Sequence, residues 1–185
     1  PSNLGWVWAV LFAIVGAGFL SLFAANRTVW WPLFPGLILL DLAVLILVGE
    51  LWPDLAERWG GAFFLAGLSL PFWATYLANR SNWWSLIPGG VMATLGAVAA
   101  VSPEAEGTQG GGLFFLGLGA TFLLVWLAPT PSGRMGWAIW PAGALLVMGL
   151  LLAASFATVA NLIFPVGLVL AGAFLLFRAF RPRSG

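Results

Sequence analysis

The stretch Asn26-Arg27-Thr28-Val29-Trp30-Trp31-Pro32-Leu33-Phe34-Pro35-Gly36 returns 53 residues later, without a gap, as Asn79-Arg80-Ser81-Asn82-Trp83-Trp84-Ser85-Leu86-Ile87-Pro88-Gly89. Another step of 53 reaches Trp137, Ile139, Pro141 and Ala142, in register with Trp84, Leu86, Pro88 and Gly89. Three copies at one period are the signature of a structural repeat. The segment before each copy agrees more loosely: Gly60-Gly61-Ala62-Phe63-Phe64-Leu65 resembles Gly111-Gly112-Leu113-Phe114-Phe115-Leu116. A partial echo, Leu162-Ile163-Phe164-Pro165-Val166-Gly167, lies near the end of the chain.

What flanks these turns identifies the solvent. The 185 residues are 62% hydrophobic and 7% charged, against about 25% charged in ordinary soluble domains. The charges leave uninterrupted intervals at 1–26, 59–79, 81–103, 107–133 and 135–177. Each is long enough for a helix of roughly 20 residues across a bilayer, and the last for two. A secretory leader has one short apolar core, whereas here one long apolar segment follows another.

The sequence therefore predicts an all-α integral membrane bundle of about seven transmembrane helices, near 6–24, 30–48, 61–78, 83–101, 112–128, 137–154 and 161–177. The whole chain, 1–185, reads as one transmembrane domain. It divides into repeat 1 at about 4–52, repeat 2 at about 60–102, repeat 3 at about 110–155 and a final helix at about 161–178. Each repeat is a two-span hairpin, which preserves orientation. The repeats are thus parallel, unlike the inverted repeats of many secondary transporters.

The charged residues orient the chain. Arg27, Arg80 and Arg134 fall in the first, third and fifth loops, and Arg178, Arg181 and Arg183 follow the last span. Glu50, Asp54, Glu57, Glu104 and Glu106 fall in or beside the second and fourth loops, with Arg58 the one arginine on that side. The positive-inside rule places the arginine loops and the C-terminus in the cytoplasm and the N-terminus outside. An even number of spans would separate the C-terminal arginines from the others. The expected location is the bacterial cytoplasmic membrane.

Absent residue types exclude much chemistry. Without Cys there are no disulfides, thiol catalysis, zinc ribbons or iron–sulfur clusters, and without His the commonest metal and haem ligand is missing. Without Lys there is no retinal Schiff base. No Ser/His, metal or paired-carboxylate constellation is visible, so the chain reads as non-enzymatic, with no metal site and no evident cofactor. The charge pattern offers no nucleic-acid surface.

The repeated residues are those of anchoring and helix shaping. Trp30, Trp31, Trp83, Trp84, Trp137 and Trp140 are expected to form a belt at headgroup level, with Arg27, Arg80 and Arg134 beside lipid phosphates or helix carbonyls. Pro35, Pro88, Pro141 and Pro165 each start or kink a helix. Gly36, Gly89, Gly90 and Gly143 admit a close backbone. The pairs Ala93/Ala97 and Gly96/Ala100 have the small-xxx-small spacing of tight helix crossings. The segment from Trp52 to Trp59 is expected as a short interfacial helix started by Pro53, and residues 102–111 as a flexible connection.

Asp41 is the exception. Ten residues beyond Trp31 at about 1.5 Å each, it lies roughly 15 Å deep, near the middle of a 30 Å core. An acid at that depth is a functional candidate. Its own face is apolar, with Phe34, Leu37, Ile38, Val44, Leu45 and Val48, and the repeat places Thr94 and Val147 at the equivalent positions. A neutral carboxyl bonded to another helix or a partner is the expected reading, with proton transfer or cation binding the sharper one.

The Trp-Trp-x-Leu-x-Pro-Gly hairpins and the Gly-Leu-Phe-Phe-Leu-Gly-Leu-Gly run at 112–119 resemble bacterial multi-pass membrane proteins of uncharacterised role. They are similar to the Lia-type transmembrane region of envelope-stress proteins. That resemblance implies a helical membrane module and carries no catalytic residues. The leading functional expectation is a membrane scaffold, an accessory subunit packing against a larger photosynthetic or respiratory complex. Its partners would be lipids and other membrane subunits, with lipid, quinone or carotenoid filling gaps. The alternatives are a carrier of an apolar molecule or lipid, and a membrane module of an envelope-stress system.

Overall fold

In a computed structural model of the chain, residues 4–101, 108–130 and 133–154 are described. The expected seventh span at 161–177, Pro165, and the arginines at 178, 181 and 183 lie outside them. All regular structure among the described residues is helical: α1 (Leu4–Ala25), α2 (Leu33–Leu51), α3 (Pro53–Ala78), α4 (Leu86–Val101), α5 (Thr108–Leu127) and α6 (Ile139–Ala153). Single 3₁₀ turns, Trp83–Ser85 and Gly136–Ala138, lead into α4 and α6. Among the described residues, six helices are long and apolar enough to cross a membrane. The molecule is a multi-pass membrane protein.

Hydrocarbon offers no partner to a bare backbone group, so every span closes its own hydrogen bonds as a helix. The prolines obey the same constraint. Pro35, Pro88 and Pro141 are each the third residue of their helix, where the N–H has no intrahelical acceptor in any case. They start helices instead of bending them. Among the described residues Pro71 is the one inside a helix, in α3, where its carbonyl accepts the Thr75 hydroxyl at 2.8 Å.

Two segments differ from the sequence expectation. The stretch from Trp52 to Trp59 is no separate interfacial helix: α2 ends at Leu51, Trp52 alone turns the chain (φ −138°, ψ 74°), and Pro53 starts α3, which continues unbroken to Ala78. Pro at the first helical position and Asp54 in the first turn favour this early start. At the connection between α4 and α5, α5 already begins at Thr108. Its glycines take up helix because α6 runs close by: a side chain on Gly112 would meet the Ala153 backbone nitrogen at 2.9 Å.

The helices form a row in chain order. Every substantial interface between described helices joins consecutive ones, α1 with α2 through α5 with α6. Each pair is antiparallel, as when Glu50 at the end of α2 reaches Gly5 at the start of α1. The central α3 and α4 bury 33% of their span residues, whereas α1 at the edge buries 11%. Second neighbours meet at one end through tryptophan pairs. Trp30 lies edge-on to Trp84 with ring centres 5.7 Å apart, and 53 residues on Trp83 lies edge-on to Trp137 at 6.4 Å.

The turn preceding α2 has a counterpart before α4. The Thr28 amide donates to Asn26 Oδ1 at 3.2 Å, as the Ser81 amide does to Asn79 Oδ1 at 3.0 Å, and both hydroxyls donate to the same oxygens. An Asn or Thr/Ser change here removes a local bond that competes with helix and stops α1 and α3.

Close approach at glycine seams holds the row. Gly149 of α6 lies so near α5 that an added Cβ would stand 2.6 Å from the Leu116 backbone nitrogen, while Gly18 of α1 has open space around it. Gly149→Ala is therefore expected to lower stability by about 1–3 kcal/mol. Gly18→Ala should leave it unchanged or raise it by up to ~1 kcal/mol. Equilibrium unfolding of each variant in mixed micelles measures the contrast.

Candidate functional site

Asp41 is the ninth of the 19 residues of α2. Its carboxyl lies directly against Gly67 of α3, in the space a side chain there would occupy. Oδ2 is buried and has no hydrogen-bond partner. The bond to another helix that the sequence led us to expect is thus not made by this oxygen among the described residues. Its neighbour across the interface is a glycine with nothing to donate.

A cavity of about 460 Å³ opens beside the carboxyl between α2 and α3. Val44, Leu45 and Val48 wall it from α2, Leu55, Phe63, Ala66, Gly67 and Leu70 from α3, and Trp52 closes its outer end. The volume is within the ~300–1,000 Å³ range of small-molecule sites. Val44, Phe63 and Leu70 are each about half exposed, so the cavity opens sideways toward lipid. The three α2 residues were on the Asp41 face already read from sequence. The α3 wall was not, because helical spacing shows which residues share a face and not which face it meets.

One helix pair further along, the equivalent position is filled. Thr94, the counterpart of Asp41, lies against Gly117 of α5 as Asp41 lies against Gly67. The space between α4 and α5 is smaller, about 240 Å³, and Ala93, Ala97 and Thr121 line it. Gly90 receives the Thr121 side chain, and the Thr121 hydroxyl donates to the Gly117 carbonyl at 2.9 Å. Val147, the third counterpart, is exposed on α6. Of the small-residue pairs singled out in the sequence, Gly96 meets Ala62 and Ala66 of α3. Its neighbour is internal.

The arginine and tryptophan residues gather at the opposite end of α2 from Trp52. Trp31, Trp137 and Trp140 are exposed, Trp140 by 80%. Trp31 meets Phe19 edge-on. Arg80 stacks over Tyr76 with its guanidinium 4.4 Å from the ring centre, and Arg134 over Trp126 at 5.5 Å. Beside the lipid phosphates or helix carbonyls expected for them, both guanidinium groups have an aromatic face, whose negative potential attracts a cation. Arg27 is exposed in the turn after α1. The Tyr76 hydroxyl donates to the Pro129 carbonyl at 3.3 Å, tying the loop after α5 to α3. A recess of about 260 Å³ lies between Arg80, Tyr76 and Leu124.

Among the described residues, no group of three or more His, Cys, Asp or Glu side chains comes together to hold a metal ion. What the site offers chemically is one acceptor oxygen in an apolar chamber. No protein-family profile, curated protein or solved structure matches the chain.

A buried acceptor without a donor costs about 1–3 kcal/mol. Asp41→Val, which replaces the carboxyl with an apolar side chain, is therefore expected to raise stability by ~1–3 kcal/mol. Equilibrium unfolding in mixed micelles measures it. A loss of similar size would mean that the carboxyl is a structural bond.

Proposed function

We propose that the chain is a non-enzymatic membrane scaffold, an accessory subunit that packs laterally against a larger membrane assembly. The observation that carries this reading is the row itself. Helices packed only on their chain neighbours leave most of their apolar surface turned outward, as with Ile14 at 67% and Leu150 at 61% exposure. Lipid covers such a surface at no cost, and so does another membrane subunit, because helices associate in hydrocarbon through packing and not through removal from water. Short turns leave little else to present. A photosynthetic or respiratory complex is the proposed kind of assembly.

In this reading the chain has seven spans in the bacterial inner membrane, three parallel hairpins and a final helix. Its N-terminus faces outward and its arginine loops face the cytoplasm. The 53-residue period shared by the Trp30–Trp84 and Trp83–Trp137 contacts supports the repeat, and the arginine distribution supports the orientation.

A second reading, carrier or binding protein for an apolar molecule, is favoured by the α2–α3 cavity. Pro35, Pro88 and Pro141 are not part of that pocket's wall, since they lie in the first turns of α2, α4 and α6. Gly67 and the Trp52 turn do.

Gentle extraction followed by native mass spectrometry separates the two readings. The scaffold reading expects the chain within a complex of other membrane subunits, and a solitary monomer that keeps full biological activity counts against it. The orientation has its own check, helped by the absence of native cysteine. In intact cells an impermeant maleimide is expected to label Asp54→Cys and to spare Ser81→Cys until the membrane is opened.

A further inference from the structure

We infer that the α2–α3 cavity binds a lipophilic organic cation, an amine whose ammonium group pairs with Asp41 and whose apolar body fills the chamber toward Trp52. This rests on the apolar-ligand reading above and adds to it the chemistry of the head group. Oδ2 of Asp41 is buried in the cavity wall without a donor. Apart from the Trp52 indole at the far end, no lining side chain has a donor to give it. A donor for this carboxyl therefore has to come from an occupant whose head group enters the recess beside Gly67.

The chemistry of the walls narrows that occupant. An anion is repelled by the carboxyl. A bare metal ion needs several oxygen or nitrogen ligands, and here only one lining side chain supplies oxygen. A neutral alcohol makes a single uncharged bond to the carboxyl, whereas an amine takes its proton and forms an ion pair with it. An ammonium neutralises the charge and donates up to three hydrogen bonds, the charge-assisted kind being about twice as strong as neutral ones. Phe63, one helical turn from Gly67, adds an aromatic ring to the same wall. At roughly 30 Å³ per non-hydrogen atom, the share of a water molecule, the chamber of about 460 Å³ holds an apolar body of some ~15 atoms.

Charge outside the chamber points the same way. Glu50, Asp54 and Glu57 are exposed around Trp52, at the end where the cavity closes. Three acids against Arg58 concentrate cations at this membrane surface. Gly67 positions the carboxyl, since any side chain there would push it from its recess.

The test uses the full chain in nanodiscs of zwitterionic phosphatidylcholine, with empty nanodiscs subtracted, and compares decylamine with decanol. The expected result is saturable binding of one decylamine per chain, at least about tenfold tighter than decanol. Asp41→Asn should bring decylamine down to the level of decanol, and Gly67→Ala should weaken decylamine more than decanol. Equal affinities for the two probes in the unsubstituted chain, or no effect of Asp41→Asn, would overturn the assignment. Val44→Trp, which fills the chamber from its lipid-facing side, separates the two levels of inference. If the probes bind equally and Val44→Trp abolishes both, an apolar site remains and the cation assignment falls. If neither probe saturates, both fall.

Discussion

Helices in hydrocarbon gain nothing by hiding apolar surface from one another, so this row depends on how closely their backbones can approach. The contacts that matter are therefore those where a side chain is missing. Gly16 meets Gly36 and Leu40, Gly96 meets Ala62 and Ala66, Gly119 meets Leu146, and Gly149 meets Leu116. At each, dispersion between close surfaces replaces the hydrophobic drive that a soluble core would use. At the remaining two interfaces Gly67 receives Asp41 and Gly117 receives Thr94, so each inner helix is held by the one before and the one after. A row in chain order follows.

The same geometry accounts for the unusual acid. A polar side chain on a lipid-exposed face would lie in hydrocarbon, whereas Asp41 is turned into an interface by the space above Gly67. Thr94 uses the matching space above Gly117. Threonine, however, leaves only a methyl and a hydroxyl there, and the surrounding cavity is about half the size. Asp41 thus occupies a general packing position with a residue whose chemistry exceeds the needs of packing. That excess, together with the chamber beside it, distinguishes the α2–α3 interface from its counterpart.

At the other end of the helices, the tryptophan-rich turns combine three tasks. Asn26 and Asn79 stop the preceding helices, Pro35 and Pro88 open the next ones, and the tryptophans bridge across the row. Arg80 and Arg134 lie on the rings of Tyr76 and Trp126, so their charge stays at the surface while their stems cover apolar area. Helix termination and contact across the row are accordingly carried by the same turns.

The linear pattern determined the helical class, the positions of six apolar helices to within a few residues at most ends, and the place of Asp41 near the middle of α2, since span length and the demand for internal hydrogen bonding are local. It also determined which residues share the Asp41 face. It did not determine that Trp52 alone turns the chain or that α3 begins at Pro53, because an amphipathic start reads equally as a surface helix. Nor did it determine that Gly67 faces the acid, that Gly96 meets α3, or that a chamber remains below Trp52. Those depend on which faces of two helices meet and how far apart their side chains hold them. Such distances arise only when the helices pack, so only the tertiary structure decided them.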